Sequence, residues 1–305
     1  MKIFKSKIPE GFTASNSLPR SKEEARLWQE KNYKWWEENP MRYDWKEKIE
    51  FSEFTKEFYL EIDKRFFKNA AEYLNKSKNI PFDEFINFNS LKNKDVLEIG
   101  VGNGSHAQLF AKYSKKFTGI DITDYAIKST KQRMTIFGLK AEIIKMDAEK
   151  LNFSDNSFDF VWSWGVIHHS SDTEKILKEI QRVLRPDGEA VIMVYYKGWW
   201  NYYCLGFVKG LISGNLFRTK SLHKTVQAFS DGAIARYYSI SDWRLLTKNI
   251  FGIKYIGVYG PKTDILPLPA GKIKDLIRSM TPSIFNRFLA HRLKMGSFLV
   301  CRLKK

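Results

Sequence analysis

The sequence predicts an α/β fold: a doubly wound, mainly parallel sheet with an N-terminal helical cap before it and a C-terminal aromatic insertion after it. Three observations carry this reading. Between Lys94 and about Tyr196, short β-branched runs alternate with helical patterns, as in successive βαβ units. The first run, Asp95-Val96-Leu97-Glu98-Ile99, passes directly into the glycine-rich turn Gly100-Val101-Gly102-Asn103-Gly104. The segment from Ser21 to about Lys78 is helical in pattern and unusually aromatic, with Trp28, Tyr33, Trp35 and Trp36 followed by Phe54, Phe58, Tyr59, Phe66 and Phe67. At 305 residues and 43% hydrophobic content, the chain can bury one full α/β core and still carry appendages. The expected division is a cap over 1–90, a core over 91–198, and an aromatic insertion with closing strands over 199–305.

Each element follows from local pattern. Pro40, inside the segment ENPMRYDW, separates two cap helices because it cannot continue the first. The core then reads DVLEIG, HAQLFAKYS, FTGID, YAIKSTKQRMTIF, AEIIKMD, SFDFVWSW, TEKILKEIQRVL and EAVIMVYY, strand and helix in turn. After Tyr196 the regularity is lost in the aromatic segment KGWWNYYCLGFVKGLISGNLF, and a helical pattern returns at SDWRLLTKNIF. Two late runs, IKYIGVYG and MGSFLVCRL, are expected to complete the sheet as an antiparallel edge pair.

Composition bounds the function. Lys plus Arg outnumber Asp plus Glu by 51 to 34, a formal charge of +17, which favours anionic partners or simply solubilises the surface. Cys204 and Cys301 are the chain's two cysteines, too few for a disulfide framework or a cysteine zinc site. No metal is expected, and the reducing cytoplasm is the expected compartment. The opening MKIFKSKIPEGFTASN has no apolar stretch behind its basic residues and does not read as a signal peptide. No window reaches the length of a membrane span, so contact with a membrane would be peripheral.

The chemistry starts in the glycine turn. Three glycines at alternate positions let the backbone turn tightly and approach a ligand that a Cβ would exclude, at the carboxyl end of the first strand where open α/β sheets bind cofactors. The dinucleotide fingerprint GxGxxG is the first rival, but here the spacing is GxGxG; its last glycine would fall on Ser105 or, in the looser form, Ala107. The second strand ends in Asp121, able to accept two ribose hydroxyls, and the third in Met146-Asp147-Ala148, where an acid can accept from an exocyclic amine.

At these residues the chain resembles the class I S-adenosylmethionine-dependent methyltransferases, of the small-molecule type with a ubiquinone/menaquinone-methyltransferase-like domain, over roughly Lys94 to Tyr196. The resemblance implies a Rossmann-like sheet and S-adenosylmethionine as cofactor. It implies that Glu98, Gly100, Val101, Gly102, Asn103 and Gly104 hold the cofactor's amino-acid end and Asp121 its ribose. Ile122 would pack on the adenine, Asp147 would receive its amino group, and Met146 and Ala148 would flank it. Phe158-Asp159 opens the fourth strand in the family manner, and Trp164, Gly165 and Val166 would end it against the sulfonium. Leu184-Arg185-Pro186-Asp187-Gly188 resembles the family's turn into the fifth strand, with Asp187 where glycine is common.

The acceptor side is read from residue chemistry. His168 and His169 follow the fourth strand and have a pKa suited to general-base catalysis, although a histidine at such a junction often only bonds to backbone. Tyr43, Tyr195, Tyr196, Trp199 and Arg236 are expected to meet the substrate, the aromatics by stacking and the arginine by pairing with an anionic group. Three functions stand: methyl transfer to an O or N atom of a small anionic or amphiphilic acceptor (glycan, lipid, quinone or secondary metabolite), methylation of RNA through the basic surface, and a silent scaffold. The chain lacks the acidic or amide residue followed by Pro-Pro after strand four that amino-methylating enzymes acting on adenine or glutamine carry. It also lacks a recognisable RNA-binding module. Exposed aromatics among Lys197, Lys209 and Arg218 would suit contact with an anionic membrane.

Overall fold

The structure, a computed structural model, describes residues 7–44, 47–74, 80–268 and 271–305. The opening six residues and the end of the predicted second cap helix, at Lys78, lie outside the described residues. The cap consists of helices α1 (Lys22–Glu38) and α2 (Lys56–Ala70). Ser21 begins the first by accepting from Glu24 N, and Thr55 begins the second by accepting from Phe58 N; each satisfies an amide with no intrahelical partner.

Among the described residues the sheet has eight strands: β1 (Asp95–Ile99), β2 (Lys116–Asp121), β3 (Glu142–Lys145), β4 (Phe158–Trp164), β5 (Leu184–Tyr196), β6 (Tyr237–Tyr238), β7 (Gly252–Tyr259) and β8 (Phe298–Lys304). Their order is β3-β2-β1-β4-β5-β8-β7, with the two-residue β6 also paired to β5. Strands β1 to β5 run parallel, and β8 lies antiparallel between β5 and β7. The expected antiparallel pair is therefore present, but β8 reaches inward to β5, and of the pair only β7 lies at an edge, with β3 at the other. Crossovers are made by α3 (Ser105–Tyr113), α4 (Asp124–Ile136) and α5 (Thr173–Val183).

Both sheet faces are covered, so successive strand residues enter different cores. Val96, Phe160, Trp162 and Val191 pack with Phe110, Phe88 and the cap residue Phe66. Leu97, Val161, Ala190 and Ile192 pack on the opposite face with Ile176, Leu177 and Ile180 of α5. Asp187, standing where a glycine was expected, has φ of 65°, a left-handed conformation that short polar Asp tolerates better than most residues.

The irregular third segment is more helical than its sequence pattern suggests. A π-helical turn at Trp199–Leu205 leads into α6 (Gly206–Ile212), α7 (Asn215–Thr219) and α8 (Leu222–Ala228). The expected helix at SDWRLLTKNIF is α9 (Ile240–Thr247), with a capping box between Ser239 and Asp242. Between β7 and β8 stand α10 (Lys262–Ile265), α11 (Lys272–Met280) and α12 (Ser283–Arg287). Most of these helices are only one or two turns long, too short to display a helical period.

One buried arginine ties the cap to the core. Arg133 of α4 pairs with Asp63 of α2, and donates to Asn103 O at 2.8 Å, Gln108 Oε1 at 2.7 Å and Ser105 Oγ at 3.3 Å. Its guanidinium lies over the Tyr59 ring, 5.1 Å from the centroid. Removing one partner of a buried ion pair typically costs about 3–5 kcal/mol, because the other charge stays desolvated. Arg133→Met is expected to lower the unfolding free energy by about that amount and to release α2 to limited proteolysis. Denaturant unfolding and peptide mapping check both; an unchanged midpoint would show that the pair does not hold the cap.

Candidate functional site

The carboxyl ends of β1 to β5 open into a cavity of about 550 Å³, roofed by the cap and by the helices after β5. Residues from all of these elements line it, Gln29, Trp36 and Tyr43 from the cap side and Tyr202, Gly206 and Val226 from the later helices. All thirteen residues expected to hold the cofactor line this one cavity.

Left-handed backbone shapes its floor. Gly100, Gly102 and Gly104 have φ of 82°, 52° and 80°, a region where a Cβ is disfavoured. A Cβ on Gly100 would stand 2.2 Å from a Val166 methyl, whereas one on Gly102 would meet nothing within 4 Å. The turn is held from behind: Gly100 N and Val101 N donate to Ile120 O, Thr130 Oγ1 donates to Gly102 O at 3.0 Å, and Ser129 Oγ donates to Asn103 Oδ1 at 2.7 Å. Asn103 Nδ2 donates to Met41 O at 2.8 Å, so the turn also anchors the chain after Pro40.

The acids are placed unequally. Asp121 Oδ2 accepts from Gly102 N at 3.2 Å, and Oδ1 accepts from the Thr123 amide and hydroxyl at 2.9 and 2.8 Å. Burial nevertheless raises its pKa. Glu98 is 2% exposed, and its Oε2 is buried without a hydrogen-bond partner. Burial, and then the nearby Asp121, push its carboxyl well above the usual range. His106 Nδ1 lies 3.8 Å from Glu98 Oε1, yet burial pushes the imidazole down to about 3, so this contact is not an ion pair. An orphaned buried carboxylate oxygen calls for a donor or a cation, and a ligand ammonium at this end of the cavity would supply one. Asp147 receives Gln29 Nε2 at 3.1 and 3.0 Å on its two oxygens, while Gln29 Oε1 accepts from Ser171 N. The cap helix thus already supplies an amide where the resemblance implies an adenine amine.

The two histidines separate. His168 is fully buried, does not line the cavity, and neither ring nitrogen has a partner; burial drives its pKa well down. The expectation of a catalytic His168 fails on access. His169 does line the cavity. Its Nδ1 lies 2.6 Å from Ile234 O; a carbonyl can only accept, so Nδ1 carries the hydrogen and Nε2 keeps the lone pair. Burial pushes its pKa down to about 4, and Trp36 packs edge-on against the ring at 4.9 Å.

Of the expected substrate residues, Tyr43, Tyr195 and Tyr196 line the cavity and Trp199 and Arg236 do not. Trp199 is half exposed and its indole N–H donates to Leu293 O at 2.9 Å, a tie between two surface segments. Arg236 is 2% exposed, and its guanidinium donates to the carbonyls of Ser15, Ser17, Ser170 and Ser171. Buried outside the cavity lining, with four of its five N–H donors on backbone carbonyls, it is held as a structural tie and does not face an anionic acceptor there. Sequence reasoning missed Gln29, Tyr73, Asp231 and Asp264, which line the cavity. Burial raises the carboxyl pKa of both Asp231 and Asp264, and Ser297 Oγ bonds to Asp264. These residues come from distant segments with no motif, and only the fold brings them together.

Residues 97–192 match the family model described as a methyltransferase domain. The phthiotriol/phenolphthiotriol dimycocerosates methyltransferase of Mycobacterium tuberculosis is 36% identical over 100 residues, 32% of this chain and 36% of that protein. The phosphatidylethanolamine N-methyltransferase of Cereibacter sphaeroides is 32% identical over 103 residues, 33% of this chain and 50% of that protein. The chain therefore spans between about a third and a half of the length of these relatives. The fold is that of a candidate methyltransferase from Bacillus halodurans C-125, with a TM-score of 0.50 and 17% identity over 73% of this chain and 97% of that one. Residues 97–192, which run from β1 into β5, accordingly match a methyltransferase domain, on a fold shared with that neighbour.

Proposed function

We propose that the protein transfers a methyl group from S-adenosylmethionine to an O or N atom of a small amphiphilic acceptor. One observation carries this reading: the glycine turn, the strand-end acids and an aromatic chamber share a single cavity. Glu98 and the backbone of Gly100 to Gly104 would hold the cofactor's amino-acid end, Asp121 its ribose, and Ile122, Met146, Asp147 and Ala148 its base. Bound there, the cofactor supplies an electrophilic methyl on a sulfonium. The protein's work is then alignment and exclusion of water, which the cap and the cavity-lining Trp164 are placed to do.

Tyr195, Tyr43 and Tyr237, with Asp231 and Asp264, offer hydrogen-bond acceptors and aromatic faces to the polar end of an acceptor, beside apolar wall from Val226 and Phe229. The two relatives named above act, by their names, on a phosphatidylethanolamine and on dimycocerosates, which supports an amphiphile. His169, neutral and with a free Nε2 lone pair, is the residue proposed to take the proton from an acceptor hydroxyl.

Two outcomes follow. Gly102→Ala costs about 1–2 kcal/mol of stability through its left-handed backbone, but its methyl enters the open floor of the cavity, so S-adenosylmethionine binding should weaken at least tenfold. Thermal-shift titration checks this, and unaltered affinity would remove the turn from the cofactor site. His169→Gln should lower turnover of a hydroxyl acceptor by about 10²–10⁴-fold, and His168→Gln should not reproduce that loss in the folded protein. Because the basic form of His169 persists down to about pH 4, the wild-type rate should be flat between about pH 6 and 8. An inflection near the ordinary histidine value of about 6.5 that vanishes in His169→Gln would contradict the burial argument.

A further inference from the structure

The large apolar side chains left in solvent are not scattered. Segments 199–217 and 273–293 hold 15 of the 22 such side chains among the described residues. Single exposed apolar residues need no explanation, but a contiguous patch marks a contact surface. The two segments adjoin: Trp199 donates to Leu293 O, Asn201 Nδ2 to Met295 O at 2.8 Å, and Trp200 to Ile265 O at 3.0 Å. Helix α11 buries none of its residues. Its Ile273, Leu276, Ile277 and Met280 recur at i, i+3, i+4 and i+7, one continuous face, with Met280 74% exposed. Ile212 at the end of α6 is 84% exposed and Phe217 in α7 is 71% exposed.

Charge says what this face meets. Residues 197–224 contain five lysines and arginines and no acid, and residues 272–294 contain six and a single acid. Apolar helices fringed by cations lie in the plane of an anionic bilayer, with the apolar side among acyl chains and the cations at headgroups. No helix among the described residues is long and apolar enough to cross a membrane, so the contact is a surface one. The same face roofs the cavity. Asn201, Tyr202, Gly206 and Lys209 line it, while Tyr203, Phe207 and Leu211 of the same helical run face outward.

We infer that the face formed by 199–217 and 273–293 docks on an anionic lipid bilayer, so that an acceptor keeps its apolar tail in the membrane while its polar end enters the cavity past Lys209. Entry of the acceptor's polar end into the cavity rests on the proposed methyl transfer, and the docking itself does not. The test is sedimentation with phosphatidylcholine vesicles, with and without phosphatidylserine, using the wild type, Ile212→Glu/Phe217→Glu and Ile273→Glu/Met280→Glu. These side chains are exposed, and circular dichroism and S-adenosylmethionine binding in solution report whether each variant remains folded. The wild type should sediment with the phosphatidylserine vesicles and less with added salt, and each double variant should lose partitioning about tenfold or more. Wild-type protein left in the supernatant, or partitioning that the variants do not alter, would overturn the docking. So would a dimer in solution that both variants dissociate, since the face would then belong to a second copy of the chain. Docking in a protein that binds no S-adenosylmethionine would sink the proposed function and leave this inference standing.

Discussion

The chain leaves β1 through three left-handed glycines, Gly100, Gly102 and Gly104, a backbone that costs an ordinary L-residue about 1–2 kcal/mol at each position. That path turns the chain away from the sheet, starts α3 at Ser105, and leaves the floor of the cavity as bare backbone. It also points the carbonyls of Gly102 and Asn103 back toward α4, where Thr130 and Arg133 take them up. Asp121 at the end of the neighbouring strand accepts from Gly102 N. The turn is thus fixed by a crossover helix and the neighbouring strand at once.

The cap depends on the same turn. Asn103 holds the backbone of Met41, and Arg133, while bonded to Asn103 O, pairs with Asp63 of α2. On the other side Gln29 of α1 reaches Asp147 and the loop after β4. A buried polar network of this kind is stable only while every member is satisfied. Cap closure and the shape of the cofactor end of the cavity are therefore coupled. Glu98 stands out against this background, since its Oε2 alone among the cavity's strand-end acids has no partner and its charge is opposed by burial.

The core was legible in the sequence because its signals are local. DVLEIG, FTGID and SFDFVWSW are short apolar runs bounded by turns, and the glycine spacing separates this turn from the dinucleotide fingerprint. The acceptor side was legible only in part. Arg236 reads as a cation for an anionic acceptor, yet its partners Ser15, Ser17, Ser170 and Ser171 come from two distant segments that no pattern links. His168 and His169 are adjacent in sequence but point differently, one into the core and one toward the cavity. The helices between β7 and β8 escaped notice because α10 and α12 span four and five residues and α11 turns its apolar face to solvent rather than to the core.

The most direct test of the account is a calorimetric titration of the intact chain with S-adenosylmethionine, alongside Asp121→Asn. The account predicts saturable binding at one site per chain, with affinity reduced at least tenfold in the variant because the ribose hydroxyls lose a charged acceptor. Absence of binding to the wild-type chain, or equal affinity in the two proteins, would contradict the assignment of the glycine turn and strand ends as the cofactor site.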